Sequence, residues 1–351
     1  MEKIAHLIIT RGSQTKRSED TKVKYPMEDG AINCTTIGGI YIKKGEKTMK
    51  TNYSDIVNVN AIGKPENPIS LNDILKLAND EGLTPSKQNK ERVLLLCIDM
   101  QQDFMDNGAL GVPGAHGDVE RLTQFIYNNM DKISNIAASI DTHVPHQIFH
   151  PCWWIDENGN NPAPYTMITL ADLDSGKWRP IIAPKASREY VEHLEQDGKK
   201  TLCIWTYHCI QGTTGCALEN QFANMVYFHS VAKKTIPQRI VKGQDPLSEM
   251  YGIIKPEYDT KGYVNIDFLN KLETFDKIVV SGEAKSHCVL ESIKQILEHY
   301  ETRPEITQKI YILEDCMSSI PGFEDATDKA FEDFKKKYKV NIVKSTDNIL
   351  A

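Results

Sequence analysis

A chain of 351 residues, 40% of them hydrophobic, can bury a sizeable core and has room for about two domains. Charged residues make up 25% of it and the formal net charge is −7. Such a chain lacks the basic face that phosphate binding needs, so no nucleic-acid partner is expected. No apolar run is long enough to span a bilayer, so no membrane partner is expected either. The segment Met1–His6 has no signal-peptide layout. The eight cysteines show no close-spaced pairing pattern, and Cys97 and Cys203 fall in apolar runs. A reducing cytoplasm is the simplest location for them.

Residues 1–91 read as a polar N-terminal extension. Strand-like runs occur at Ala5–Thr10 and Thr36–Lys43, the second bent or bulged at Gly38-Gly39. Gly63–Pro68 reads as a linker. Ser70 then caps a helix running to about Glu81, with Leu71, Ile74, Leu75 and Ala78 on its apolar side. No chemical motif lies in this segment. A β-rich cover, an oligomerisation arm and an accessory domain stay open, with a structural extension the simplest role.

Residues 92–351 alternate strands and helices. Strands are expected at 93–98, 136–141, 201–205, 277–282, 308–314 and 340–344. Helices are expected at 117–133, 187–197, 218–232, 265–274, 288–300 and 324–337. That rhythm predicts a three-layer α/β/α fold around a central parallel sheet. Residues 151–186 and 214–236 read as insertions bordering a site.

Several motifs carry chemistry. The apolar run Val93–Ile98 ends in Asp99, where open α/β sheets place their sites. Asp141 and His143 are two apart, so an extended strand puts both on one face. His146 and His150 follow, and Leu202–Tyr207 leads into His208. One acid with two or three histidines is a ligand set for zinc, iron or manganese. Gln238–Val241 leads into Lys242-Gly243. The run Lys277–Gly282 leads through Lys285-Ser286-His287 to Cys288 at the start of a helix, where the positive helix end favours a thiolate. Taken singly, each motif has a plainer reading: a buried structural cysteine, a helix cap at Asp99, a solvated lysine, loop histidines.

Taken together and in order, Asp99 in Ile-Asp-Met-Gln-x-Asp-Phe, Asp141-x-His143, Trp205-x-x-His208-Cys209-x-Gln211-Gly212-Thr213, Lys242-Gly243 and Gly282-x-Ala284-x-x-His287-Cys288 resemble the isochorismatase-like cysteine hydrolases. The nicotinamidase/pyrazinamidase branch is the nearest pattern. The resemblance runs from Val93 to about Asn348. It implies an amidohydrolase that cleaves a small, heteroaromatic amide such as nicotinamide, with Cys288 as nucleophile, Asp99 as base and Lys242 as charge stabiliser. It implies an oxyanion hole at the backbone N–H groups of Ala284 and Cys288, and a cis peptide before Ala284. Asp141, His143 and His208 are the implied ligands of a divalent metal, zinc first, with iron or manganese as alternatives. The family spacing falls between His146 and His150 for a fourth ligand, and His150, after apolar Ile148-Phe149, is preferred. Phe104 and Trp205 match the aromatic residues that flank the substrate ring. Association is common in the family, so a homo-oligomer is expected.

Some positions depart from the pattern. Thr206-Tyr207 and Lys285-Ser286 replace the commoner residues before the two histidines. A cysteine amidohydrolase of an N-carbamoyl or ureido compound therefore stays open. So does a catalytically silent member that binds a ligand or partner.

Overall fold

The computed structural model describes residues 34–37, 40–43, 49–196 and 200–350. The chain divides by its contacts into Met1–Thr48 and Met49–Ala351. In the first unit, strands Cys34–Ile37 and Ile40–Lys43 pair antiparallel, so one expected run is two strands either side of Gly38-Gly39. The run expected at Ala5–Thr10 lies outside the described residues.

The second unit is built on six parallel strands: β1 (Val93–Ile98), β2 (Ile133–Asp141), β3 (Gln238–Lys242), β4 (Lys277–Gly282), β5 (Ile310–Leu313) and β6 (Asn341–Val343). Their order is β6-β5-β4-β1-β2-β3. β1 forms because six apolar residues in a row suit a strand covered on both faces, and all six are buried. Its side chains alternate between two cores. Val93, Leu95 and Cys97 face α1 (Leu71–Asp80), α2 (Ala115–Asn128) and α4 (Asn220–Ala232), while α3 (Pro184–Gln196) lies elsewhere. Leu94, Leu96 and Ile98 face α5 (Ile266–Leu272), α6 (Leu290–His299) and α7 (Glu324–Tyr338). Each fully buried aliphatic side chain contributes about 1.5–3 kcal/mol. The result is the expected three-layer α/β/α fold.

Four expectations change. The strand expected at 201–205 is only Leu202–Cys203, paired antiparallel with Met167–Ile168 outside the main sheet. The edge position belongs to β3, whose outward Val241 is exposed, as an edge strand allows. Residues 214–236 border the site only at their start, where Cys216 lies against the Asp141 carbonyl; the rest is α4, which packs as an ordinary layer helix against α1 and α2. Gly63–Pro68 is no free linker: Gly63 N–H donates to Glu219, and Asn220 donates to the Lys64 and Pro65 carbonyls. Finally, α1 buries Ile74 and Ala78 but leaves Leu71 exposed, so its apolar side is narrower than its sequence spacing suggests.

Residues 151–186 do build onto the carboxyl edge. Trp153, Trp154 and Ile168 pack with Tyr190 and Val191 of α3 and with Trp205 in a third apolar cluster. Among the described residues no helix is long and apolar enough to cross a membrane. The seven cysteines with described side chains are free thiols.

Candidate functional site

The register of four strands assembles the site. Gly282 of β4 lies opposite Ile98 of β1, so Asp99 follows directly beside the turn after β4. Asp141 at the end of β2 lies opposite Lys242 at the end of β3. The chain leaves β1 for β2 and β3 on one side, while β4, β5 and β6 extend the other. The site therefore sits at the carboxyl ends of the strands where the order switches, as open α/β sheets favour.

Asp99, at φ 46°, turns back under the sheet edge in the left-handed region that aspartate tolerates better than most residues. Ser139 fixes it: the Ser139 hydroxyl donates to Asp99 Oδ1 at 2.6 Å and accepts from the Asp99 N–H at 2.9 Å. Lys242 Nζ lies 2.9 Å from Asp99 Oδ2, 3.0 Å from Asp141 Oδ1 and 3.7 Å from Cys288 Sγ. It also donates to the Met250 carbonyl at 3.1 Å. Burial works against the Lys242 ammonium, but Asp141 and Asp99 outweigh it and hold the charge. Burial raises the Asp99 carboxyl above the usual carboxylate range, with Lys242 opposing. Burial also raises the Cys288 thiol well above its ordinary range against the pull of Lys242, and Asp99 is within hydrogen-bonding reach of it.

The peptide between Glu283 and Ala284 is cis. Lys285–Val289 then form one wide π-helical turn with Ala284 as its cap, and α6 continues from Leu290. The helical path thus opens at Lys285, three residues before the expected start at Cys288, a shift the apolar pattern from Val289 onward could not reveal. Ala284 and Cys288 both line one cavity of roughly 490 Å³, its open mouth included.

Asp141, His143 and His208 form a buried group whose ligand atoms lie within 4.8 Å of one another, able to hold a metal ion. Each histidine turns Nε2 toward Asp141 Oδ2, His143 at 2.9 Å and His208 at 3.8 Å. Their Nδ1 atoms face carbonyls, of Gly243 at 3.0 Å and Thr206 at 2.8 Å. A carbonyl acceptor selects the Nδ1–H tautomer and leaves Nε2 as a lone-pair donor, the usual backing of a metal-binding histidine. Burial works against the Asp141 carboxylate, but the Lys242 ammonium 3.0 Å away helps hold it well below the usual carboxylate range.

His150 is fully buried, whereas His146 is exposed. The His150 ring stands edge-on to His143 and His208, at 5.9 and 6.0 Å. Its Nδ1 faces the Val144 and Pro145 carbonyls, and its buried Nε2 has no hydrogen-bond partner. Burial, with repulsion from His208 and His143, pulls it down to about 3, so the ring is neutral. A neutral buried histidine with an orphaned Nε2 has the chemistry of a donor, but His150 stands outside the three-residue group whose ligand atoms lie within 4.8 Å of one another.

Phe104 and Trp205 both line the cavity, with Leu110, Val112 and Ile320 adding apolar wall. Of its polar residues, Glu249 and Tyr251 were missed by sequence reading, and His287 appeared only inside the Cys288 motif, without a role. Sequence reading also missed the braces. Gln101 accepts from the Asp141 N–H at 2.7 Å and donates to the Asp141 carbonyl at 2.8 Å. Asp103 accepts from the Cys209 N–H at 2.7 Å, tying the loop after β1 to the His208 loop. Gln101 and Asp103 stand in the Ile-Asp-Met-Gln-x-Asp-Phe motif without a role read for them there, and Ser139, two before Asp141, shares its strand face.

No family model matches the chain, and no curated protein matches it in sequence. Solved structures do. An Acinetobacter baumannii nicotinamidase/pyrazinamidase superposes over 74% of this chain and 99% of its own, with 18% identity and a TM-score of 0.50. The yeast nicotinamidase bound to the inhibitor nicotinaldehyde superposes over 72% of this chain and 99% of its own, with 19% identity and a TM-score of 0.50. In fold this chain is similar to these nicotinamidase structures, a three-layer α/β/α protein on a central parallel sheet.

Proposed function

We propose that the protein is a cysteine amidohydrolase of a small heteroaromatic amide, with nicotinamide the first candidate. The observation that carries this reading is the meeting of Cys288, Asp99 and Lys242, with Cys288 on the wall of a cavity also lined by Asp141, His143 and His208 and the other two buried behind it. The nicotinamidase structures of the same fold support it.

The chemistry follows from the donors. Cys288 holds its proton until a base removes it, and Asp99 is the acceptor in reach. A raised carboxyl is a stronger base, better matched to a thiol than an ordinary carboxylate. Sγ bonds to the amide carbon as its proton passes to Asp99. The carbonyl oxygen becomes an oxyanion facing the backbone N–H groups of Ala284 and Cys288; one such donor is worth about 10²–10³ in rate. The C–N bond breaks as Asp99 returns the proton to nitrogen, and ammonia leaves. Water then gives a proton to Asp99 and its oxygen to the carbonyl carbon, the C–S bond breaks, and the proton returns to sulfur as the acid departs. Lys242 keeps its charge and stabilises the ionised partners.

Asp141, His143, His208 and His150 would hold a divalent metal, zinc before iron or manganese, which supplies a Lewis-acidic contact for a ring nitrogen. Phe104 and Trp205 would flank the ring, each stacked pair contributing about 0.5–1.5 kcal/mol.

The test is turnover of nicotinamide by Asp99→Asn and Lys242→Ala. Each is expected to lose at least about 10²-fold in kcat, the usual contribution of a positioned proton acceptor or charge. Rates within a few-fold of the unaltered protein in both would sink the assignment.

A further inference from the structure

Glu249 lies on the loop after β3, buried, on the wall of the cavity. The cation whose field reaches it, Lys200, is bound instead to Glu257 at 2.6 Å and Glu291 at 3.2 Å. Neutral donors hold Glu249. Trp205 Nε1 at 2.7 Å and the Tyr251 hydroxyl at 2.5 Å both donate to Oε1, and the Tyr190 hydroxyl donates to Oε2 at 3.2 Å. Burying a carboxylate without a counter-ion is costly, and three donors offset that only in part.

The expense has a geometric return. One oxygen grips two rings of the cavity wall, Trp205 and Tyr251, which stand edge-to-face at 6.3 Å. His287 completes the wall, 5.8 Å from Trp205 and 5.9 Å from Tyr251. Without Oε1 the indole N–H keeps only the Tyr251 hydroxyl, 3.0 Å away and itself held by that same oxygen, so both rings of the cavity wall lose their fixed orientation. The side-chain partners of Glu249 are Tyr190, Trp205 and Tyr251, whereas those of the Cys288 sulfur are Lys242 and Asp99.

We propose that Glu249 is a positioning residue, clamping the Trp205 and Tyr251 rings so that the cavity fits a flat ring and binds it tightly. The identity of that ring rests on the amidohydrolase reading above. The clamp therefore governs affinity, leaving the chemical step to the cysteine and its partners.

The experiment compares ammonia release by the full chain with that by Glu249→Gln and Glu249→Leu. Alongside, it follows the indole N–H resonance of Trp205, assigned by its loss in Trp205→Phe. Glu249→Leu is expected to raise KM about tenfold, the scale of one lost hydrogen bond to a charged acceptor, with kcat changed less than about threefold. Glu249→Gln keeps an acceptor oxygen and should hold KM within about threefold, with a small shift of the resonance. An unchanged KM in Glu249→Leu, a loss confined to kcat, or an unmoved resonance overturns the proposal. Should that variant fail to fold, Tyr251→Phe removes one donor from the shared oxygen and must raise KM more than it lowers kcat; an unchanged KM overturns the proposal equally. If the unaltered protein releases ammonia from no amide, the amidohydrolase reading falls, and the Trp205 resonance alone decides the clamp.

Discussion

Single residues make the metal group possible, and Gly243 shows how tightly. It follows Lys242 at φ +75°, and its carbonyl backs His143. A Cβ there would lie 2.5 Å from both Asp141 Oδ1 and His143 Cε1. Neither neighbour has room to move: Asp141 is gripped by Lys242 and Gln101, and Phe149 stands edge-on to the His143 ring at 4.9 Å. Gly243→Ala is therefore expected to fold yet lose bound metal. Metal analysis after dialysis should find about one equivalent in the unaltered protein and less than about a tenth of that in the variant, since displacing a buried donor costs one to two decades in affinity. Full metal content in Gly243→Ala would contradict the ligand assignment.

Elements carry these residues to one place, and much of that was legible in the sequence. The six-residue apolar run of β1 and the run of β4 announce buried parallel strands, because nothing else accommodates so continuous an apolar stretch of that length. Asp99 and Cys288 could be read off their ends. β3 was harder: an edge strand with exposed Arg239 and Val241 looks like a loop, and only its register opposite Asp141 gives Lys242 its place. Glu249 and Tyr251 were not legible, because loop residues carry no periodicity and their partners are far away in the chain; Gln101 stood in the quoted motif, but its partner Asp141 did not show. Gly282 joins element to site. At φ +134°, a Cβ on it would meet the Ile98 carbonyl at 2.1 Å, across the central β1–β4 pairing. Backbone cannot yield there as a side chain can. Gly282→Ala should lower stability by about 3 kcal/mol or more. Urea unfolding within about 0.5 kcal/mol of the unaltered protein, the range of a neutral surface substitution, would refute this packing.

At the scale of the whole molecule, the contacts divide the chain between Thr48 and Met49, although composition alone changes near residue 91. Ile56, Ile62, Ile74, Ala78 and Leu83 lie in the core on the α2–α4 face of the sheet. Removing residues 1–48 should leave a cooperative thermal transition followed by circular dichroism. Removing residues 1–91 strips those five side chains, at about 1.5–3 kcal/mol for each large one, against a typical net stability of about 5–15 kcal/mol. That shorter protein should aggregate or lack a transition. A cooperative melt from residues 92–351 would place 49–91 outside the folding unit. What residues 1–48 do remains a separate proposal, with a structural extension the simplest.

The proposed function joins these scales: four strand ends bring Asp99, Asp141, Lys242 and Cys288 together at the edge of one cavity, which we propose takes a small flat amide. Its most direct test is ammonia release from nicotinamide by the purified, metal-loaded protein beside Cys288→Ala. Turnover above about 1 s⁻¹, within the usual enzyme range, that vanishes in Cys288→Ala is the predicted result. Release that survives in Cys288→Ala, or none from nicotinamide or any other small heteroaromatic amide, would contradict it.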